Sequence, residues 1–218
     1  MTNKSLIETT KSYVKSVLIN AEGGHDWFHT LRVFNNTQLI AKDEKVNVLI
    51  VQLAALLHDI ADSKFHNGDE TIGPEMARQF LFKHNVDSLA IEHVVNIIKY
   101  MSFKNSFEGN NTFNSKELEV VQDADRLDAI GAIGIARAFN YGGFKNRTLF
   151  DPNIKPNLKM TKAEYKSSTA PTINHFYEKL LLLKTNMNTT TGKQMAQQRH
   201  LFMEQFLEQF FGEWDGER

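Results

Sequence analysis

Apolar residues recur along this chain with the period of an α-helix. Leu6, Ile7, Tyr13, Val14, Val17 and Leu18 form one stripe; Leu31, Val33, Phe34, Leu39 and Ile40 form a second; Leu89, Ile91, Val94, Val95, Ile97, Ile98 and Met101 form a third. A fourth, Phe202, Met203, Phe206, Leu207, Phe210 and Phe211, has the spacing of a core-facing helix, and Trp214 extends it. Further helices are predicted over about 47–59, 71–84, 115–128, 130–140, 162–185 and 191–211. No segment alternates convincingly with the period of a strand, so the predicted class is all-α. Two segments read as irregular. Residues 103–114 are rich in Asn, Gly and Ser, and 141–159 contains Gly142-Gly143 and two of the four prolines. The second is long for a connection, a length associated with lids and binding loops. Thr189-Thr190-Thr191-Gly192 reads as a turn between helices.

With 218 residues, 41% of them hydrophobic, the chain can bury a substantial core and is expected to form one domain, residues 1–218, with a C-terminal helical extension. Twenty-five basic residues against 26 acidic ones, in no long block of one sign, argue against a nucleic-acid partner. The absence of cysteine excludes disulfides, thiolate metal sites and cysteine nucleophiles, so any bound metal has nitrogen and oxygen ligands. The first residues lack the apolar core of a signal peptide, and the run 48–57 is too short to span a bilayer. A cytoplasmic protein with no membrane partner is expected.

That run, Val48-Leu49-Ile50-Val51-Gln52-Leu53-Ala54-Ala55-Leu56-Leu57, ends in His58-Asp59. An imidazole and a carboxylate delivered to a buried edge need a hydrogen-bond partner, a counter-charge or a metal. Upstream lies Gly24-His25-Asp26-Trp27-Phe28-His29, and downstream Asp123-Ala124-Asp125-Arg126-Leu127-Asp128. Helical spacing lets His25 converge with His29, His58 or Asp59 with Asp62, and Asp125 with Asp128. Spacing alone leaves several ligand sets open. A histidine and carboxylate set without sulfur suits Mn²⁺, Fe²⁺, Ni²⁺, Zn²⁺, Co²⁺ or Mg²⁺.

Together these segments resemble the HD-domain superfamily of metal-dependent phosphohydrolases, named for its H…HD…D ligand set. His29 followed by Leu31-Arg32-Val33 resembles the first-histidine motif, Ala54-Ala55-Leu56-Leu57-His58-Asp59 the central motif, and Ala124-Asp125-Arg126-Leu127 the final-aspartate motif. With Gly24-His25-Asp26, Asp59-Ile60-Ala61-Asp62-Ser63-Lys64 and Gly131-Ala132-Ile133-Gly134-Ile135-Ala136-Arg137, the chain is similar to small bacterial single-domain members with nucleotide pyrophosphohydrolase activity. The resemblance, not helical geometry, selects His29, His58, Asp59 and Asp125 as ligands, over His25 and Asp123. It implies an HD-domain helical bundle holding one divalent ion, manganese first among the metals above. Only His93 is available on the helix where two-metal branches carry extra histidines.

The implied chemistry is hydrolysis of a nucleotide phosphoanhydride, from nucleoside triphosphate to monophosphate and pyrophosphate. Asp62, one turn after His58, is the candidate proton-handling residue, where some members of the family have glutamate. Lys64, Arg32, Arg137 and Lys99 are candidate phosphate contacts. His25, Asp26 and His66 are further pocket candidates, whereas Arg126 and Asp128 are expected in ion pairs. The alternatives are a nucleoside monophosphatase or cyclic-nucleotide phosphodiesterase at the same metal, and a nucleotide sensor without turnover. Assembly is left open.

Overall fold

A computed structural model describes residues 2–21, 24–61, 69–101, 113–161, 164 and 167–218. Among these residues the regular structure is entirely helical: α1 (Asn3–Val17), α2 (Trp27–Ile40), α3 (Val48–Leu57), α4 (Ile72–Lys83), α5 (Ser88–Tyr100), α6 (Lys116–Asp128), α7 (Gly131–Phe144), α8 (Asn174–Glu178) and α9 (Thr190–Trp214), with 3₁₀ turns at Leu18–Asn20 and Leu180–Asn186. The all-α expectation is met. None of the described helices is long and apolar enough to cross a membrane. The chain divides into two compact units, Met1–Asp125 and Arg126–Arg218, the division falling within α6.

In the first unit α3 packs against α1, α2 and α5, and α4 packs against α5. A helix covered on three sides must be apolar nearly all round, and Leu53 through Leu57 are fully buried. Asn47 starts α3 by accepting hydrogen bonds from the amides of Leu49 and Ile50, at 3.1 and 3.3 Å. α6 is anchored at both ends. Asn47 N donates to Glu117 Oε1 at 2.8 Å, and the buried Asn36 of α2 donates through Nδ2 to the Ala124 carbonyl at 3.2 Å, next to Asp125.

In the second unit α7 and the 3₁₀ turn 180–186 pack against α9, and α8 packs against the same turn. Phe139, Phe176, Phe206 and Phe210 form an aromatic cluster, which Trp214 joins by stacking on Phe210 with 5.9 Å between ring centroids. Gly131 opens α7 with φ +74°, a left-handed conformation that few residues besides glycine adopt.

Several expectations are corrected. The helix expected over 162–185 is broken: Glu164 and Ser167 are helical, but residues 168–171, with Pro171 unable to continue a helical ladder, carry no regular structure before α8, and the chain becomes a 3₁₀ turn after Lys179, whose φ of −144° is not helical. Residues 141–144, read as loop, complete α7. The rest of that segment is tied down: Thr172 and Ile173 donate backbone hydrogen bonds to Thr148 and Leu149, and Asn174 Nδ2 donates to the Ile154 carbonyl at 3.0 Å. Thr189 is the N-cap of α9, and Thr190 to Gly192 already belong to the helix. Leu39, Leu89 and Phe202 satisfy the apolar period yet are exposed, the edge of their stripes being left uncovered among the described residues. The irregular segment expected over 103–114 lies largely outside the described residues.

Candidate metal centre

The candidate ligands come from three helices of the first unit. Asp26 caps α2, its Oδ1 accepting from the His29 amide at 2.8 Å, and so fixes the turn that carries His29 inward. His58 is the C-cap of α3, and its Nδ1 lies 2.9 Å from the Ala55 carbonyl. A carbonyl only accepts, so Nδ1 carries the proton and Nε2 presents a lone pair, the arrangement typical of a metal-ligating histidine. Asp125 lies near the end of α6, held beside α2 by the Asn36 bond.

The donor atoms converge. His29 Nε2 lies 3.3 Å from His58 Nε2, 3.5 Å from Asp125 Oδ1 and 3.7 Å from Asp59 Oδ2, and His58 Nε2 lies 3.9 Å from Asp59 Oδ2. Bonds of about 2.0–2.2 Å to one cation put neighbouring donors roughly 3.0–3.5 Å apart, so shifts of a few tenths of an ångström close this set around an ion. Two imidazole nitrogens and two carboxylates without sulfur match the chemistry of a borderline or hard divalent metal. The set is asymmetric in access: side-chain exposure is 1% for His29 and 5% for His58, but 21% for Asp59 and 41% for Asp125. The two histidines are enclosed by protein, and the two carboxylates are the more exposed members of the set.

His25, expected as a substrate contact, has its Nδ1 hydrogen-bonded to Asp59 Oδ2, and its ring meets that of His29 edge to face at 5.7 Å. His25, His29 and Asp59 form a second group of convergent ligand atoms beside His29, His58 and Asp125. Burial alone pushes the Asp59 carboxyl up, but the His58 imidazole, the hydrogen bond from His25 and the other imidazoles more than offset this and hold it well below the usual carboxylate range. The His25 to His29 spacing hinted at their proximity; nothing local marked Asp59 as the partner.

Asp123 is fully buried and belongs to neither group, so among the described residues Asp125 is the acidic residue of α6 that joins the cluster. His93 lies 3.0 Å from Ser115 Oγ and 3.5 Å from Glu117 Oε2 and also belongs to neither group. Asp62, Lys64 and His66 lie outside the described residues. Arg32 is half-buried on α2 three residues after His29, on the same helical face. Lys99 has its ammonium over the Tyr100 ring at 5.4 Å. Arg137, in the second unit, donates through one guanidinium nitrogen to Asp128 Oδ2 at 2.6 Å and to the Asp128 carbonyl at 3.1 Å. Arg126, expected in an ion pair, donates to the Asn186 carbonyl.

The HD domain family matches residues 27–130, a stretch that contains His29, His58, Asp59 and Asp125. YpgQ of Bacillus subtilis, an uncharacterized protein, is 38% identical over 206 residues, covering 93% of this chain and 90% of its own. A crystal structure of an HD-superfamily hydrolase from Bacillus thuringiensis superposes with a TM-score of 0.78 at 42% identity, over 98% of this chain and 99% of that one. The crystal structure of Bacillus subtilis YpgQ in complex with ADP superposes with a TM-score of 0.75 at 34% identity, over 96% of this chain and 95% of that one. Relatedness on this scale over nearly the whole length, with the HD domain match spanning the H…HD…D residues, makes the chain a member of the HD superfamily of hydrolases.

Proposed function

We propose that this protein is a metal-dependent phosphohydrolase that adds water across the Pα–O–Pβ bridge of a nucleoside triphosphate, releasing the monophosphate and pyrophosphate. The observation that carries the reading is the approach of His29, His58, Asp59 and Asp125 to within 3.3–3.9 Å around His29 and His58 Nε2. A divalent cation held by these four residues supplies an acidified water and neutralises charge on a phosphoryl oxygen. Manganese is the proposed ion.

The chain's own groups have distinct tasks in this reading. His58, with Nδ1 bonded to Ala55, offers Nε2 in the ligating tautomer. Asp59, whose Oδ2 accepts from His25 Nδ1, offers a carboxylate to the same cation. Asp62, four residues after His58 in the sequence, takes the proton from the attacking water and returns one to the departing pyrophosphate. Arg32, Lys64 and Lys99 hold the phosphate chain, Arg32 with its fork of donors and the lysines as mobile point charges. Arg137 is left out because it already grips Asp128. The ADP bound to YpgQ supports a nucleotide as the ligand class.

Product analysis tests this. Purified protein is incubated with Mn²⁺ and a panel of nucleotides, and products are resolved by ³¹P NMR. Pyrophosphate is expected from triphosphates, with His58→Ala losing both turnover and most bound metal. Orthophosphate as the sole inorganic product would refute the pyrophosphohydrolase reading in favour of a phosphatase, and full metal content in His58→Ala would refute the ligand set.

A further inference from the structure

We propose that His25 is a positioning residue that sets the orientation of the Asp59 carboxylate, and thereby the metal affinity of the centre. The inference rests on the metal-centre reading above. His25 Nδ1 is hydrogen-bonded to Asp59 Oδ2, the same oxygen that faces His29 Nε2 at 3.7 Å and His58 Nε2 at 3.9 Å. Each carboxylate oxygen has two lone pairs, so Oδ2 accepts the imidazole proton with one and keeps the other for a cation. The torsion that turns a carboxylate about its Cβ–Cγ bond is soft, and an aspartate without such a donor samples a broad range of orientations. His25 narrows that range to the one in which Oδ2 converges on the two Nε2 atoms.

The position of His25 is itself fixed. It immediately precedes Asp26, whose carboxylate holds the His29 amide at 2.8 Å, and its ring packs against that of His29 with an interplanar angle of 67°. One short segment, His25-Asp26-x-x-His29, therefore delivers a ligand from the first turn of α2 and the partner of another ligand from the residue before its cap. With a side-chain exposure of 31%, His25 is more accessible than the His29 and His58 rings, at 1% and 5%.

Mn²⁺ affinity, read by titration with electron paramagnetic resonance detection of the free ion, separates this role from its rivals. His25→Ala is expected to weaken binding by about 10–100-fold, the usual effect of losing a hydrogen-bond partner of a ligand. His25→Asn, whose amide nitrogen sits where Nδ1 does, is expected to remain within a few-fold of the parent. Parental affinity in His25→Ala, or equal weakening in both variants, overturns the proposal. Loss as complete as in His58→Ala overturns it too, because His25 would then be a ligand itself. If His58→Ala retains full affinity, the metal-centre reading falls first. A normal His58→Ala result with an unaffected His25→Ala removes the positioning role alone.

Discussion

Arg137→Leu strands the Asp128 carboxylate inside the second unit. The Asp128 side chain is 2% exposed and that of Arg137 25%, and the guanidinium makes both the 2.6 Å ion pair and the 3.1 Å bond to the Asp128 carbonyl. Removing one partner of a buried pair costs ~3–5 kcal/mol, because the remaining charge stays desolvated without compensation. Two features favour the lower end: Arg137 is partly solvated, and Arg199, whose guanidinium also feels the Asp128 charge, remains nearby. A loss of ~3 kcal/mol in a chain of this size lowers the melting midpoint by about 6–12 °C. Adding Asp128→Asn to the leucine variant removes the stranded charge and should recover at least half of that loss. The assay is thermal unfolding followed by circular dichroism, with steady-state hydrolysis measured on the same preparations. A parental midpoint combined with a KM for triphosphate raised tenfold or more would refute this reasoning and return Arg137 to the phosphate contacts.

Two further outcomes are expected. Asp62→Asn removes a proton acceptor while keeping size, so single-turnover hydrolysis should fall by about 10²–10⁴-fold with metal content unchanged; a near-parental rate at full occupancy would show that Asp62 takes no part in proton transfer. Burial, with the charges of Lys179 and Arg147 nearby, pushes the His175 imidazole from an ordinary 6.5 down to about 3. Between those values the unfolded chain binds the extra proton, so stability falls as pH drops from 6.5 towards 3, by up to ~1.4 kcal/mol per pH unit. Urea unfolding of His175→Gln at several pH values from about 4.5 to 6.5, above most carboxylate titrations, should show a flatter slope than the parent, and identical slopes would sink the assignment.

Local pattern determined much of this molecule. The nearly all-apolar run of α3 marked a buried element, and a His-Asp pair at its end needed a partner, so the candidate centre was legible before any contact was known. Helical period likewise located most elements to within a few residues, because it reports the two faces that every amphipathic helix must have. It does not report what covers a face. Leu39, Leu89 and Phe202 obey the period yet lie exposed, since their burial depends on neighbours distant in the chain. The helix expected over 162–185 shows the same limit from the other side, where a proline at 171 and a non-helical backbone at Lys179 interrupt the segment. At the centre, spacing offered Asp123 and Asp125 equally. The fold buries the first and places the second with Oδ1 3.5 Å from His29 Nε2. The bonds from His25 to Asp59 and from Arg137 to Asp128 are tertiary decisions as well: a side chain's type states what it can bond, but its partner is chosen by which atoms the fold brings within about 3 Å.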